Sequence, residues 1–130
     1  MNLNQVTDTV TPTTGVMSIA GAVSTTSATI ATGTTITPTT GNNQFDVTAL
    51  ATGATIAAPT GTAADGQKLI IRITDNGSAQ TLTWTTSSGG YRIIGVTLPT
   101  TTTATKTTYV GCIYNSTASF WDVVAVTTQA

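Results

Sequence analysis

The stretch that decides the fold runs from Gln67 to Thr85, QKLIIRITDNGSAQTLTWT. Leu69, Ile71 and Ile73 alternate with Lys68, Ile70 and Arg72, and this period of two puts the first three on one face of a strand and the others on its opposite face. Asp75-Asn76-Gly77-Ser78 follows, and Asn and Gly tolerate the positive φ that a tight turn demands. The reading is therefore a β-hairpin whose second arm is Thr81-Leu82-Thr83-Trp84-Thr85, and a hydrophobic core starts on its apolar face.

On the amino-terminal side, Gln44 to Leu50 (QFDVTAL) alternates Phe45, Val47 and Ala49 against Asp46, Thr48 and Leu50, which predicts a strand. Two related stretches lie around it. Ile30-Ala31-Thr32-Gly33 with Thr35-Ile36 and Pro38 is echoed by Leu50-Ala51-Thr52-Gly53 with Thr55-Ile56 and Pro59, at an offset of about twenty residues. Two copies without a third do not define a solenoid, so they read as two strand, glycine turn, strand units. Each closes at a proline, which cannot donate to a ladder. Pro59 to Gly66 is a loop by its Pro-Thr-Gly and Asp-Gly signals.

On the carboxyl-terminal side, Tyr91 to Leu98 predicts a strand with Gly95 at a bulge, and Pro99 to Thr105 a threonine-rich crossover. A strand through Tyr109 to Tyr114, a turn at Asn115 to Ala118 and a strand through Phe120 to Val126 close the chain. Residues 1–14 carry Val6 and Val10 among Thr, Asn and Asp and read as an extended amino-terminal arm. Gly15 to Val23, with Val16, Met17 and Ile19, reads either as a core strand or as a segment that docks on a partner. Seven or more short strands with no helical periodicity give an all-β chain. The expected fold is an antiparallel β-sandwich of jelly-roll type over residues 15–130, with Phe45, Trp84, Tyr91, Tyr109, Phe120 and Trp121 as core anchors.

At 130 residues the chain has the length of one domain. Threonine supplies roughly a quarter of it, while only 7% of residues are charged against a usual ~25%. A branched Cβ suits a pleated strand, and a hydroxyl keeps an exposed face wet with little rotamer entropy to lose. Few lysines or inward charges guard the strand edges, which favours an oligomer or a lattice-bound subunit. Cys112 lies in an apolar strand pattern and reads as a buried small hydrophobe. The start, MNLNQVTDTV, has no signal-peptide pattern, and no run approaches membrane-spanning length, so folding in a reducing cytoplasm is expected.

The absence of histidine excludes a Ser/His/Asp triad, a Cys/His dyad and histidine metal sites, and no enzyme activity or cofactor is expected. Asp65 and Asp75 read as turn formers, and the Asp75-Asn76-Gly77 stretch lacks the further oxygens of a calcium loop. Four basic residues and a net charge of −1 give no footprint for nucleic acid. Asn76-Gly77-Ser78 and Asn115-Ser116-Thr117 match a glycosylation sequon but fall at turns, where these residue types are expected anyway. Thr-x-Thr triplets, as in Thr81-Leu82-Thr83, show no fixed period along the chain, which argues against a water-ordering, ice-binding face.

From Gln44 to Val126 the chain resembles small β-rich virion proteins and tail-fibre modules of tailed bacteriophages. The resemblance rests on Phe45-Asp46-Val47, on Pro59-Thr60-Gly61 and on the Gly66 to Asp75 strand (GQKLIIRITD). It continues through Thr81-Leu82-Thr83-Trp84 and the Tyr109 to Val124 region with its Asn-Ser-Thr turn and Phe-Trp-Asp-Val-Val ending. It implies a trimeric β-sandwich subunit on the outer capsid surface of the virion, bound to the major capsid protein as a decoration or cement protein and made in the bacterial host cytoplasm. A short chain with its own starting methionine favours decoration over a tail-fibre module. Residues 1–43 have no counterpart in the pattern, and Val6, Val10, Val16, Met17 and Ile19 are the expected capsid or subunit contacts. The alternative is a tail-fibre or spike module that binds host glycans, with Trp84, Tyr91 or Trp121 stacking on sugar faces.

Overall fold

The computed structural model describes residues 26–130. The arm assigned to residues 1–14 lies outside them, as do Val6, Val10, Val16, Met17 and Ile19. Among the described residues nine strands form: β1 (Ser27–Ile30), β2 (Thr35–Ile36), β3 (Gln44–Leu50), β4 (Ala54–Ile56), β5 (Lys68–Asp75), β6 (Leu82–Trp84), β7 (Tyr91–Ile93), β8 (Thr107–Asn115) and β9 (Phe120–Thr128). They make a six-stranded sheet in the order β1-β3-β5-β8-β9-β7 and a three-stranded sheet in the order β2-β4-β6. No helix occurs among the described residues.

The all-β class is as the sequence predicts, but the sheets are mixed where antiparallel pairing was expected. β1 with β3, β3 with β5, β2 with β4, β4 with β6 and β7 with β9 all run parallel. Among the described strands only β5 with β8 and β8 with β9 run antiparallel. This pairing does not give the antiparallel jelly roll, and it removes the opening hairpin: β5 and β6 lie in different sheets.

The reason lies in the turn. Asp75 is buried, and its Oδ1 accepts from the Gly77 amide at 2.9 Å and the Thr105 amide at 3.0 Å, while its Oδ2 accepts from the Thr102 hydroxyl at 2.7 Å. The Asn76 amide donates to the Leu50 carbonyl and so prolongs the β3–β5 pairing by one bond. Gly77, at φ 102°, then bends the chain away from the sheet. Asn-Gly supplies the expected positive φ, but the bend feeds a second sheet instead of folding the strand back on itself.

The same path is taken three times. β1, β3 and β5 each leave the large sheet, turn, and enter the small one as β2, β4 and β6, so three coils stack. Ile30, Val47 and Ile73 align in one sheet, and Ile36, Ile56 and Trp84 in the other. The two echoed units fall within the first two coils and are in register in the small sheet, although Ile30 lies beside Val47 and not Leu50 in the large one; the third coil is β5–β6. The coils differ in length. Ser27 pairs with Gln44 and Gln44 with Ile70 in the large sheet, whereas Thr35 pairs with Thr55 and Ala54 with Leu82 in the small one. Unequal loops thus bring Thr35, Thr55 and Thr83 into one column, although the triplets show no period along the chain.

One core lies between the sheets. Leu69, Ile71 and Ile73 are fully buried and meet Phe45, Val47, Val110, Cys112 and Val123 from neighbouring strands and Ile36, Ile56 and Leu82 from the small sheet. Trp121 and Tyr91 are its largest fully buried side chains. Each large apolar group removed from water contributes about 1.5 to 3 kcal/mol. Burial pushes the Cys112 thiol up to about 12, which keeps it protonated and unreactive at neutral pH.

β8 and β9 form the hairpin predicted around Asn115, whose Oδ1 accepts from the Ala118 amide at 3.0 Å. β7 is shorter than expected and ends at Ile93, because Gly95 at φ 68° turns the chain away from the sheet edge.

Candidate interaction surface

Alternation along β5 and β8 decides what the large sheet shows on its outer face. With Leu69, Ile71 and Ile73 turned inward, Lys68, Ile70 and Arg72 point out, and their β8 partners Ile113, Gly111 and Tyr109 share that face. Ala125 lies opposite Gly111 on β9, and a register shift between Gly111 and Cys112 inserts Val124 beside it. Ile70 (42% exposed), Tyr109 (40%) and Val124 (46%) are among the most exposed large apolar groups of the described residues, and here they surround a glycine.

Nothing in the fold demands that glycine. Gly111 does not have a left-handed φ, and a Cβ there would meet the Ala125 Cβ at 3.6 Å, an ordinary contact. A glycine inside a strand weakens it and often marks close approach by another backbone or ligand. Its effect is to leave the middle of the face flat.

Charges flank this patch in pairs. Arg72 Nη2 lies 2.6 Å from Asp46 Oδ2, and Gln44 Nε2 donates to the same carboxylate at 3.0 and 3.1 Å. Arg92 holds Asp122 through two bonds, 2.7 Å from Nε and 2.9 Å from Nη2, and lies 5.5 Å over the Phe120 ring. The Arg92 hydrogen bonds hold the Asp122 carboxyl below its ordinary value against the opposing cost of burial, with help from Asn115. Apart from the exposed Lys68, the charges of this face are paired in place, so it offers a partner little long-range attraction and a small desolvation cost at its apolar centre.

The aromatics proposed for sugar stacking are elsewhere. Tyr91 is 0% and Trp121 1% exposed, so neither can stack on a ligand. Trp84 is half-buried, edge-on to Tyr91 at 5.1 Å, with its Nε1–H donated to the Pro99 carbonyl at 2.7 Å. An open depression of about 390 Å3 lies over Asp65, Tyr114, Asn115, Thr117 and Asp122, but its main polar groups are engaged. Asp65 accepts from the Ser116 amide and hydroxyl, tying the Asp65-Gly66 turn to the β8–β9 turn, and Asn115 Nδ2 donates to Asp122. No cluster of three or more His, Cys, Asp or Glu residues suited to a metal occurs among the described residues.

Sequence reasoning read the side of β5 that bears Ile70 but missed Gly111 and Val124. The Gly111 signal was legible: Tyr109, Gly111 and Ile113 alternate with inward Val110 and Cys112. The bulge that exposes Val124 leaves no mark in the alternation. Comparison with protein-family models, curated proteins and solved structures finds no match to this chain.

Proposed function

We propose that this chain is a structural, non-enzymatic virion protein of a tailed bacteriophage, which decorates and reinforces the outer capsid surface as a trimer. The observation that carries the reading is the flat outer face of the large sheet, where Ile70, Tyr109 and Val124 surround Gly111 between self-neutralised ion pairs. Such a face suits a broad protein partner better than a small ligand or nucleic acid. In this reading it seats the subunit on the major capsid protein. Val6, Val10, Val16, Met17 and Ile19 are the proposed further contacts to shell or neighbouring subunit. Three copies on a symmetry axis convert modest individual contacts into firm attachment through effective concentration. Binding only to assembled shell stabilises that shell by mass action.

The test is to add purified protein to phage capsids that lack it, follow saturation and heat resistance, and record its oligomeric state by light scattering. Saturable binding by a trimer with a rise in capsid melting temperature is the expected result. A monomer that neither binds nor stabilises any shell overturns the proposal.

A further inference from the structure

Four asparagines lie among the described residues, and three of them hold their side-chain amide in place. Asn42 Nδ2 donates to Thr39 Oγ1 at 2.8 Å, Asn43 Nδ2 to the Lys68 carbonyl at 3.4 Å and Asn115 Nδ2 to Asp122 Oδ2 at 3.3 Å. Asn76 is exposed, and its Nδ2 has no partner among the described residues. The other three are followed by Asn43, Gln44 and Ser116, whose side chains screen the next backbone nitrogen, whereas Asn76 is followed by a glycine. Space around Gly77 is open, since a Cβ added there would meet nothing within 4 Å.

The turn sets around this pair the groups that an attack of the Gly77 nitrogen on the Asn76 side-chain carbon needs. Asp75 Oδ1 accepts from the Gly77 amide at 2.9 Å, within reach of the proton that must leave the nucleophile. The Ser78 amide donates to Asn76 Oδ1 at 3.3 Å, on the oxygen where negative charge develops. Burial tends to raise the Asp75 carboxyl, but its hydrogen bonds outweigh that, so it is ionised at neutral pH and free to take a proton. We propose that Asn76-Gly77 is a self-modification site, which loses ammonia through a succinimide with Asp75 as the base. The Gly77 nitrogen bonds to Asn76 Cγ as its proton passes to Asp75. The Cγ–Nδ2 bond then breaks, and the amino group takes that proton and leaves as ammonia. Water opens the succinimide at one carbonyl to give aspartate, or at the other to give isoaspartate, whose backbone runs through the former side chain. Either product adds a negative charge beside Asp75 in a chain of net charge −1. Isoaspartate also lengthens the backbone between the Asn76 amide, bound to Leu50, and the Gly77 amide, bound to Asp75, and so loosens the joint between the large sheet and the third coil. The inference concerns the isolated chain and does not depend on capsid binding.

The test is to incubate the full chain in mildly alkaline buffer, folded and in urea, and to follow each asparagine by peptide mass spectrometry that resolves aspartate from isoaspartate. Conversion at Asn76 about tenfold faster in the folded chain than in urea is expected, with Asn42, Asn43 and Asn115 unchanged over the same period. Asp75→Asn keeps an acceptor for the Gly77 amide but removes the base, and should slow the folded chain about tenfold at Asn76. Where circular dichroism shows that variant to be unfolded, Ser78→Pro, which removes the donor on the side-chain oxygen, is read in its place. A folded rate at Asn76 equal to or below the rate in urea overturns the inference, because the turn then gives no assistance. An unchanged rate in the folded variant overturns it as well.

Discussion

The coil stack and the β8–β9 hairpin use the same residue types to opposite ends. In the hairpin, two nine-residue strands meet in antiparallel register around a turn closed by Asn115. In the stack, an eight-residue strand ends at an equally turn-prone Asp75-Asn76-Gly77, yet its continuation, β6, joins another sheet. The difference lies in where the aspartate points. Asn115 closes its own turn, whereas Asp75 also accepts from Thr102 and Thr105 of the crossover and ties the third coil to a segment about thirty residues on. A turn motif specifies a bend, and long-range partners of its side chains decide the plane of that bend.

The largest effect should come where both regions lean on one side chain. Trp121 packs on Tyr114 with ring centroids 5.2 Å apart and lies in the shared core, so Trp121→Ala should cost about 3 to 5 kcal/mol by urea unfolding. A loss below about 1 kcal/mol would show that the stack holds without the hairpin's anchor. Asp75→Ala comes next. It leaves the buried Thr102 hydroxyl and the Gly77 and Thr105 amides without their acceptor, at about 2 to 3 kcal/mol. Hydrogen exchange should rise in β6 and residues 99–106 more than in β8–β9, and a uniform rise would erase the contrast between the regions.

Acid should act more weakly and on both. Burial tends to raise the Asp75 carboxyl, but hydrogen bonds from Thr102, Thr105 and Gly77 outweigh it, and Asp122 is lowered by Arg92. Both folded values lie below the ordinary 3.8, so the stability they confer is complete above that pH and is lost as pH falls through the lowered values. Melting temperature should stay level from about pH 8 to 5, because no histidine titrates there, and drop below about pH 4. A transition near neutrality would contradict this. The smallest effect belongs to Arg72→Ala: its ion pair with Asp46 is over a third exposed on the arginine side, and about 0.5 to 1 kcal/mol is expected in thermal melts.

How much was legible follows from the range of each interaction. The strand through Leu69, Ile71 and Ile73, the Phe45 strand, the β8–β9 hairpin and the inward Cys112 were all readable, because period-two alternation and a local turn determine them. The third coil was not. Val47 to Thr55 spans more residues than Ile30 to Thr35, and Ile73 to Thr83 more again, so no constant period links coils that are in register in space. Parallel pairing was hidden for a related reason, since it depends on loops that pass between sheets. At the candidate surface, the exposed side of β5 was visible in the sequence. The flatness around Gly111 needed the neighbouring β9 to be placed before it could be seen.

The most direct test of that surface is capsid binding by the parent and by Gly111→Lys, each at low and high salt. A side chain at position 111 has room, so the variant should fold with stability within about 0.5 kcal/mol of the parent while raising a knob on the flat face. The account predicts saturable parent binding that changes little with salt, and none by Gly111→Lys. Equal binding by the folded variant, or release of the parent by moderate salt, would contradict it.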